Sequence, residues 1–372
     1  MTAMKLPNIQ ILRACAAMMI VVYHCGIETA RLSASAGGGR LFDEAPWGAG
    51  VPIFFAISGF IMVVTSARAF GSVAAAADFM RRRVIRIVPL YWLVTTLALG
   101  VALFAPSLSK APPGDFLYVL ASYLFWPYVR ATGDVRPLAT PGWTLNLEML
   151  FYVVFAVSLL LRRGLGLSLL FASLTMLVAA RVAGLLPGVA LNFWGDPIVL
   201  GFLLGAAVGI AYNRGLRLSG FAALALMIVG FSVIFLSWVP SGAEDALGRR
   251  LAEAAPATLI LIAFALGPQV DGRSVPLRGA LAVGDASYSL YLIQEFLLRL
   301  MSLGWHKVLP SLVPLWIFIP VGIAAAVAAA LASYRWFEKP VTRWLNGKAA
   351  RRASPAATRL KASPLMRGTP AA

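Results

Sequence analysis

Charged side chains are scarce in this sequence. Only 13% of its 372 residues are Asp, Glu, Lys or Arg, whereas 60% are hydrophobic. Soluble domains carry roughly 25% charged residues, so this composition excludes an ordinary soluble domain. It predicts an integral membrane protein.

Histidine and cysteine are almost absent, with two of each. Cys15 and Cys25 lie ten positions apart in one apolar stretch, a spacing on a single helix that a disulfide cannot bridge. The sequence contains no His-x-x-x-His pair and no glycine-rich phosphate loop, which are the common signatures of zinc and nucleotide sites. We therefore predict neither a metal site nor a redox cofactor.

Acidic residues are also few, because 15 Asp and Glu stand against 32 Lys and Arg, for a net charge of +17. A nucleic-acid partner is not needed to explain this excess. Cytoplasmic loops of membrane proteins are enriched in Lys and Arg, and they face anionic lipid. Most of the basic residues fall on the cytoplasmic side if both termini are placed there. We predict that topology, contact with membrane lipid and no nucleic-acid partner.

Long apolar stretches dominate what is present, and ten are long enough, or nearly so, to cross about 30 Å of hydrocarbon. We expect an all-α, polytopic membrane bundle of about ten transmembrane helices in a single domain, 5–345. The segment 346–372, rich in Ala, Ser, Pro and basic residues, is predicted to be a disordered cytoplasmic tail. Residues 116–128 are too short to span and are expected at the interface. The ten stretches are 9–27, 51–67, 87–105, 143–161, 165–186, 194–212, 218–238, 254–268, 281–303 and 312–335.

His24 lies in the first of these stretches, eleven positions after Arg13. Eleven residues at about 100° each place the two side chains on one helix face, about 16 Å apart along the axis. Titratable side chains are costly inside a membrane, and they mark substrate paths, proton relays or catalysis. Arg13 and His24 are therefore candidate functional residues.

Other polar residues fall at a similar depth in separate stretches. Ser58, Glu148 and Gln294 are expected to share a cavity with His24, and Glu148 is a plausible partner for the imidazole. Glu295 precedes Arg299 by four residues, so we interpret these two as a mutually neutralising pair.

Two further patterns have a structural and a functional interpretation. Tyr288 and Tyr291 lie on one face of the ninth stretch, where they can line a substrate path or pack with a polar tip. The basic run containing Arg82, Arg83 and Arg86 can be a topology signal or an anion site that grips phosphates. Gly201, Gly205 and Gly209 form a stripe of small residues that predicts close helix packing.

Taken in order along the chain, these residues form a recognisable series that resembles the acyltransferase 3 family of integral membrane acyltransferases. The stretch 196–202 is most similar to the exopolysaccharide-modifying branch, such as succinoglycan O-acetyltransferases, although Gly201 stands where that branch has Glu. The six elements are Arg13 with His24, Ser58-Gly59-Phe60 after 52–55, the basic run ending at Pro89, 143–148, 287–292 and 337–340.

The resemblance implies transfer of an acyl group, usually acetyl, from cytoplasmic acyl-coenzyme A to a carbohydrate hydroxyl at the bacterial inner membrane. The acceptor is expected to be a polysaccharide or a lipid-linked oligosaccharide. The essential histidine of the family maps to His24 and its partner arginine to Arg13. The basic run maps to contacts with coenzyme A phosphates, and Glu148 maps to the acceptor side.

On this basis we expect His24 to act as a general base whose tautomer Glu148 sets, with a covalent acyl-imidazole as the second mechanism. Gln294 departs from the histidine that many relatives carry and cannot shuttle protons. The residues expected to bind substrate are Ser58, Trp143, Tyr288, Tyr291 and Gln294.

Other functions remain open from sequence alone. A proton-coupled transporter could relay protons through His24, Glu148 and Glu295, although paired repeats with broken helices, typical of many transporters, are not visible. A lipid-linked glycosyltransferase and a non-catalytic membrane scaffold are further alternatives.

Overall fold

The structure, a computed structural model, describes residues 6–35, 47–105, 115–130, 133–236, 246–271, 274–308 and 315–347. These residues form helices joined by turns and contain no strand, which confirms the all-α prediction. The helices are α1 (Pro7–Ser35), α2 (Gly50–Thr65), α3 (Val73–Phe104), α4 (Phe116–Tyr123), α5 (Gly142–Leu159), α6 (Arg163–Val182), α7 (Gly188–Trp194), α8 (Leu200–Asn213), α9 (Gly220–Leu236), α10 (Ala246–Leu266), α11 (Val275–Asp285), α12 (Ser287–Val308) and α13 (Phe318–Ser333).

Several of these helices are suited to a membrane. Within the described residues, seven helical segments are long and apolar enough to cross one, and the shorter α9 is also apolar. The chain is therefore a multi-pass membrane protein, while the count of ten spans and the location of the termini stay predictions. The seven segments are Pro7–Ser33, Trp47–Thr65, Val73–Phe104, Gly142–Leu159, Arg163–Val182, Gly188–Asn213 and Leu315–Gly347.

Two predicted stretches differ in detail from the structure. The ninth, 281–303, is divided between α11 and α12, which meet at Ala286. The last extends beyond α13 through a π-helical turn, Tyr334–Glu338, and continues as helix to residue 347. The predicted tail, 346–372, lies outside the described residues except for its first two. The segment 116–128 contains only the eight-residue α4, about 12 Å long and too short to span.

The glycine stripe on α8 packs directly against α2. A Cβ atom at Gly205 would overlap the backbone of Ala56, and one at Gly59 would overlap the backbone of Phe202. Gly201 likewise faces Phe55 at contact distance. Only glycine lets the two backbones approach this closely, so the prediction of close helix packing is confirmed.

The helices that hold the candidate residues meet around α12. It packs against α1, α13 and α3, while α1 also contacts α2 and α11. The helix α5, which carries Glu148, packs against α3 and α6. Stacked rings of Phe55, Phe202 and Phe151, with centroids 4.3 and 4.5 Å apart, join α2, α8 and α5 into one core.

Candidate active site

His24 is held from two sides. Its Nδ1 lies 2.9 Å from the Ile20 carbonyl oxygen and 2.9 Å from the side-chain amide of Gln294. A carbonyl oxygen accepts only from a protonated Nδ1, whereas the Gln294 amide nitrogen donates only to an unprotonated Nδ1, so the tautomer of the neutral ring decides which of the two contacts is a hydrogen bond. When the proton is on Nδ1 and Ile20 accepts it, Nε2 is the basic nitrogen.

The carboxylate beside this nitrogen belongs to Glu295, whose Oε2 lies 4.0 Å from Nε2. Glu295 is buried, with 8% of its surface exposed. The sequence indicated Glu295 as a partner of Arg299, and the structure shows Arg299 paired with Glu28 at 3.4 Å. Helix α12 turns Glu295 toward α1 and thereby supplies the imidazole with an acidic neighbour.

Glu148 has different partners from those expected. Its Oε1 accepts a hydrogen bond from Ser58 at 3.0 Å and another from the Tyr152 hydroxyl. Ser58 and Glu148 thus share a site, as predicted, whereas His24 and Gln294, which were expected in the same cavity, do not line it. The expected pairing of Glu148 with His24 is corrected, since the structure gives that place to Glu295.

Ser58 and Glu148 line a cavity of about 150 Å³, which we call the arginine cavity. Three of its residues are Arg13, Arg83 and Arg86. Arg13 donates to the Ser287 hydroxyl at 2.8 Å, at the first residue of α12. The other polar lining residues are Ser58, Thr144, Glu148, Tyr152, Ser287, Tyr288 and Tyr291.

Of the three arginines in this cavity, Arg83 also contacts aromatic rings. Its guanidinium lies 5.4 Å from the centre of the Phe79 ring and 5.7 Å from that of Tyr152. Such cation–π contacts stabilise a cation in a poorly hydrated place. These contacts stabilise the charged guanidinium inside the cavity, which therefore offers a site for an anionic ligand.

Some predicted site residues lie elsewhere. Arg82 is exposed and pairs with Asp78, and it is not among the lining residues of the arginine cavity. Trp143 packs against the aromatic core, whereas its neighbour Thr144 lines the cavity. Gln294 contacts His24 instead of the arginine cavity.

A second cavity, of about 70 Å³, lies farther along the same helices, and we call it the loop cavity. On α3 the arginine cavity ends at Ile87 and the loop cavity begins at Val94, a shift of about 10 Å along the axis. Its lining residues are Val94, Ala98, Val101, Arg130, 138–141, Leu292, Glu295, Phe296, Arg299 and Leu300. Glu295 thus lies between the loop cavity and His24.

Tyr291 lies where the two cavities approach each other. Its side chain lines the arginine cavity, and its hydroxyl donates to the carbonyl of Pro141, a residue of the loop cavity, at 3.1 Å. Thr144 Oγ1 lies 2.7 Å from the same hydroxyl. These groups form a thin polar layer between the cavities.

The loop cavity is lined in part by Arg130 and 138–141, which follow α4 in the chain, and hydrogen bonds connect α4 to this segment. Asp115 caps α4 by accepting from the Tyr118 backbone N–H at 2.7 Å and from the Tyr128 hydroxyl at 2.9 Å. These two donors lower the pKa of the Asp115 carboxyl below its usual value. Ser122 accepts from the Leu138 N–H at 3.1 Å and so ties α4 to the residues that line the cavity.

The sequence contained only part of the signal for this arrangement. Glu295 follows Tyr288 and Tyr291 on one helix face, which marked a polar stripe without naming its partner. Arg130 carried no signal, because it reaches the loop cavity only through the fold of the segment after α4.

Comparisons with known proteins agree with this architecture. The acyltransferase 3 family, described as an acyltransferase domain, matches residues 6–335. The chain is 34% identical over 323 residues to the exopolysaccharide production protein ExoZ of Rhizobium meliloti (strain 1021), covering 82% of this chain and 91% of that protein. It is 27% identical over 327 residues to the acyltransferase MdmB of Streptomyces mycarofaciens, covering 79% of each.

No solved structure matches the chain. The family match extends over nearly all of the membrane helices described above, including those that carry His24, the arginine cavity and Glu295. The chain therefore belongs to the acyltransferase 3 family and is a membrane acyltransferase.

Proposed function

We propose that this protein transfers an acyl group, by preference acetyl, from cytoplasmic acyl-coenzyme A to a hydroxyl of a cell-surface or lipid-linked polysaccharide. It does so in the bacterial inner membrane. The similarity to a protein of exopolysaccharide production supports a glycan acceptor. The observations that carry the proposal are a cavity lined by Arg13, Arg83 and Arg86, and a His24–Glu295 pair whose carboxylate lines the loop cavity.

The arginine cavity is the proposed site of the donor. Coenzyme A carries phosphates, and guanidinium groups bind phosphate oxygens bidentately. Arg83 and Arg86 lie in the first half of α3, in the basic run that the positive-inside rule assigns to the cytoplasm. Arg13 lies on α1, the helix that also carries His24, so its proposed role is to hold the pantetheine arm while the thioester points toward His24.

His24 is the proposed general base. Its Nε2 accepts the proton of the sugar hydroxyl as that oxygen bonds to the thioester carbon. The carbon–sulfur bond then breaks, and the proton passes from the imidazolium to the departing thiolate of coenzyme A. Glu295, 4.0 Å away, stabilises the imidazolium that forms between the two steps. An acyl-imidazole route would use the same nitrogen as nucleophile.

Glu148 is proposed to act on the donor side. It binds Ser58 and Tyr152 within the arginine cavity, where the network supplies a carboxylate to offset three cations. This assignment revises the acceptor-side role that the family resemblance implied.

The test is acetyl transfer by the purified full-length protein in lipid nanodiscs. Acetyl-coenzyme A and chemically deacetylated exopolysaccharide are the substrates, and coenzyme A release and glycan mass are the readouts. His24→Ala should abolish both signals, while His306→Ala, which removes the only other histidine, should retain them. Unchanged product from His24→Ala would refute the assignment. Proton flux into proteoliposomes without consumption of acetyl-coenzyme A would favour the transporter alternative.

A further inference from the structure

The loop cavity borders the proposed catalytic pair but holds none of the arginines proposed for the donor. Glu295 lines it directly, and Arg299 follows Glu295 by about one turn of α12. Arg130 closes it from the segment after α4. A ligand in this cavity therefore meets a carboxylate near His24 and two guanidinium groups farther away.

Positive charge is in excess around this cavity. Arg130 pairs with Asp134 at 2.9 Å, and Arg136 lies 3.7 Å from the same carboxylate. Arg299 pairs with Glu28 at 3.4 Å, and Arg31 contacts that carboxylate at 2.5 Å. Among the residues that the structure describes, four arginines thus share two carboxylates. Counting Glu295 as well, the cations of this described set still outnumber its anions, which favours binding of an additional anion here.

The two arginines that line the cavity also retain hydrogen-bonding capacity. The Arg130 side chain is only 10% exposed, yet its Nε has no hydrogen-bond partner among the described residues. The buried Nε of Arg299 is in the same state. Buried donors without partners are rare and destabilising, which points to a group that binds them.

We propose that the loop cavity binds an anionic group of the acceptor and thereby directs a sugar hydroxyl to His24. This inference rests on the proposed function and names the acceptor class as an acidic glycan or a phosphate-linked one. A cavity of about 70 Å³ takes the anionic substituent and not a whole saccharide, which extends outside. Glu295 repels the anion from the catalytic end, so the anion occupies the arginine end and the hydroxyl faces the imidazole.

Two sources can supply the anion: a carboxylate on the glycan, or the pyrophosphate that links an oligosaccharide to its lipid carrier. Four probes separate them. They are a glucosyl-glucose disaccharide, a glucuronosyl-glucose disaccharide, and each of these linked through pyrophosphate to undecaprenol. Binding of each probe to the full-length protein in nanodiscs is measured by thermophoresis, without acetyl-coenzyme A.

The wild-type protein should bind at least one anionic probe about tenfold more tightly than the free neutral disaccharide. Preference for free glucuronosyl-glucose identifies the carboxylate, and preference for linked glucosyl-glucose identifies the pyrophosphate. Arg130→Gln and Arg299→Gln should each remove the preference, while Arg130→Lys should retain part of it. Matched controls are Arg136→Gln and Arg31→Gln, which share the same carboxylates but do not line the cavity. Both should keep the preference.

Equal binding of all four probes, including failure to bind any, overturns the inference. So does a preference that survives Arg130→Gln and Arg299→Gln or is lost equally in the controls. Coenzyme A release in a parallel assay reports on the proposed function separately. Transfer without anion preference rejects the inference alone, and anion preference without transfer rejects the function alone.

Discussion

Replacement of Glu295 by Gln isolates the charge beside His24 at nearly constant side-chain volume. Two unit charges at the observed 4.0 Å attract each other by about 4 kcal/mol at an effective dielectric constant near 20. In the proposed mechanism the imidazolium forms as the sugar hydroxyl loses its proton, so the attraction stabilises the transition state more than the ground state. Because both groups retain some exposure, we expect kcat to fall by about a hundredfold, equivalent to roughly 3 kcal/mol.

The assay is steady-state release of free coenzyme A thiol by the purified protein, at saturating glycan and varied acetyl-coenzyme A. Glu295 does not line the arginine cavity, so KM for acetyl-coenzyme A should stay within about twofold of wild type. Glu295→Asp keeps the charge on a shorter side chain and should recover part of the lost kcat. Glu28→Gln, which removes another buried carboxylate from the same helix bundle, controls for loss of folding.

Glu148→Gln provides the comparison that can refute this reasoning. It should act mainly on KM for acetyl-coenzyme A, because Glu148 lies among the arginines. If Glu148→Gln abolishes kcat while Glu295→Gln retains most of it, the carboxylate that serves His24 is Glu148, and the assignment from geometry is wrong.

Three further predictions concern the donor cavity, the helix packing and the α4 cap. Arg86→Ala should raise KM for acetyl-coenzyme A about tenfold. Arg82→Ala removes a residue that pairs with Asp78 outside the cavity and should leave this KM nearly unchanged. Equal effects of the two substitutions would leave the basic run only a topology role. Gly205→Ala should destabilise the protein by about 1–3 kcal/mol in thermal unfolding through overlap with α2, whereas Gly100→Ala, with nothing within 4 Å of its added methyl, should not. Asp115 has a lowered pKa because Tyr118 and Tyr128 donate to its carboxylate. Its contribution to folding stability is therefore present above the pKa of the unfolded chain and is lost as pH falls through the pKa of the folded protein. The difference in Tm between wild type and Asp115→Asn should therefore shrink from pH 6 to pH 3, and a constant difference would contradict the cap.

Helical periodicity was sufficient to predict the relative positions of some candidate site residues. Arg13 and His24 lie on one continuous helix, as their spacing required, because an α-helix repeats at a known angle over any length. The pairing of Ser58 with Glu148 also agreed with the depth argument. Depth, however, is a single coordinate. Gln294 and Glu295 lie at a comparable depth, yet they meet His24, whereas Glu148 faces Ser58 and the arginines.

The amino-acid sequence by itself determined that this chain is helical, that it enters a membrane and that it belongs to its family. Those properties follow from the apolar composition and from motifs in the linear sequence. Which carboxylate stands beside the imidazole was decided only by tertiary structure, because it depends on the rotation of α12 and on its contact with α1. The loop cavity was decided in the same way, since Arg130 and Arg299 are far apart in sequence and meet only when the segment after α4 folds over α12. Side-chain neighbours between helices are set by packing, which no local pattern of residues encodes.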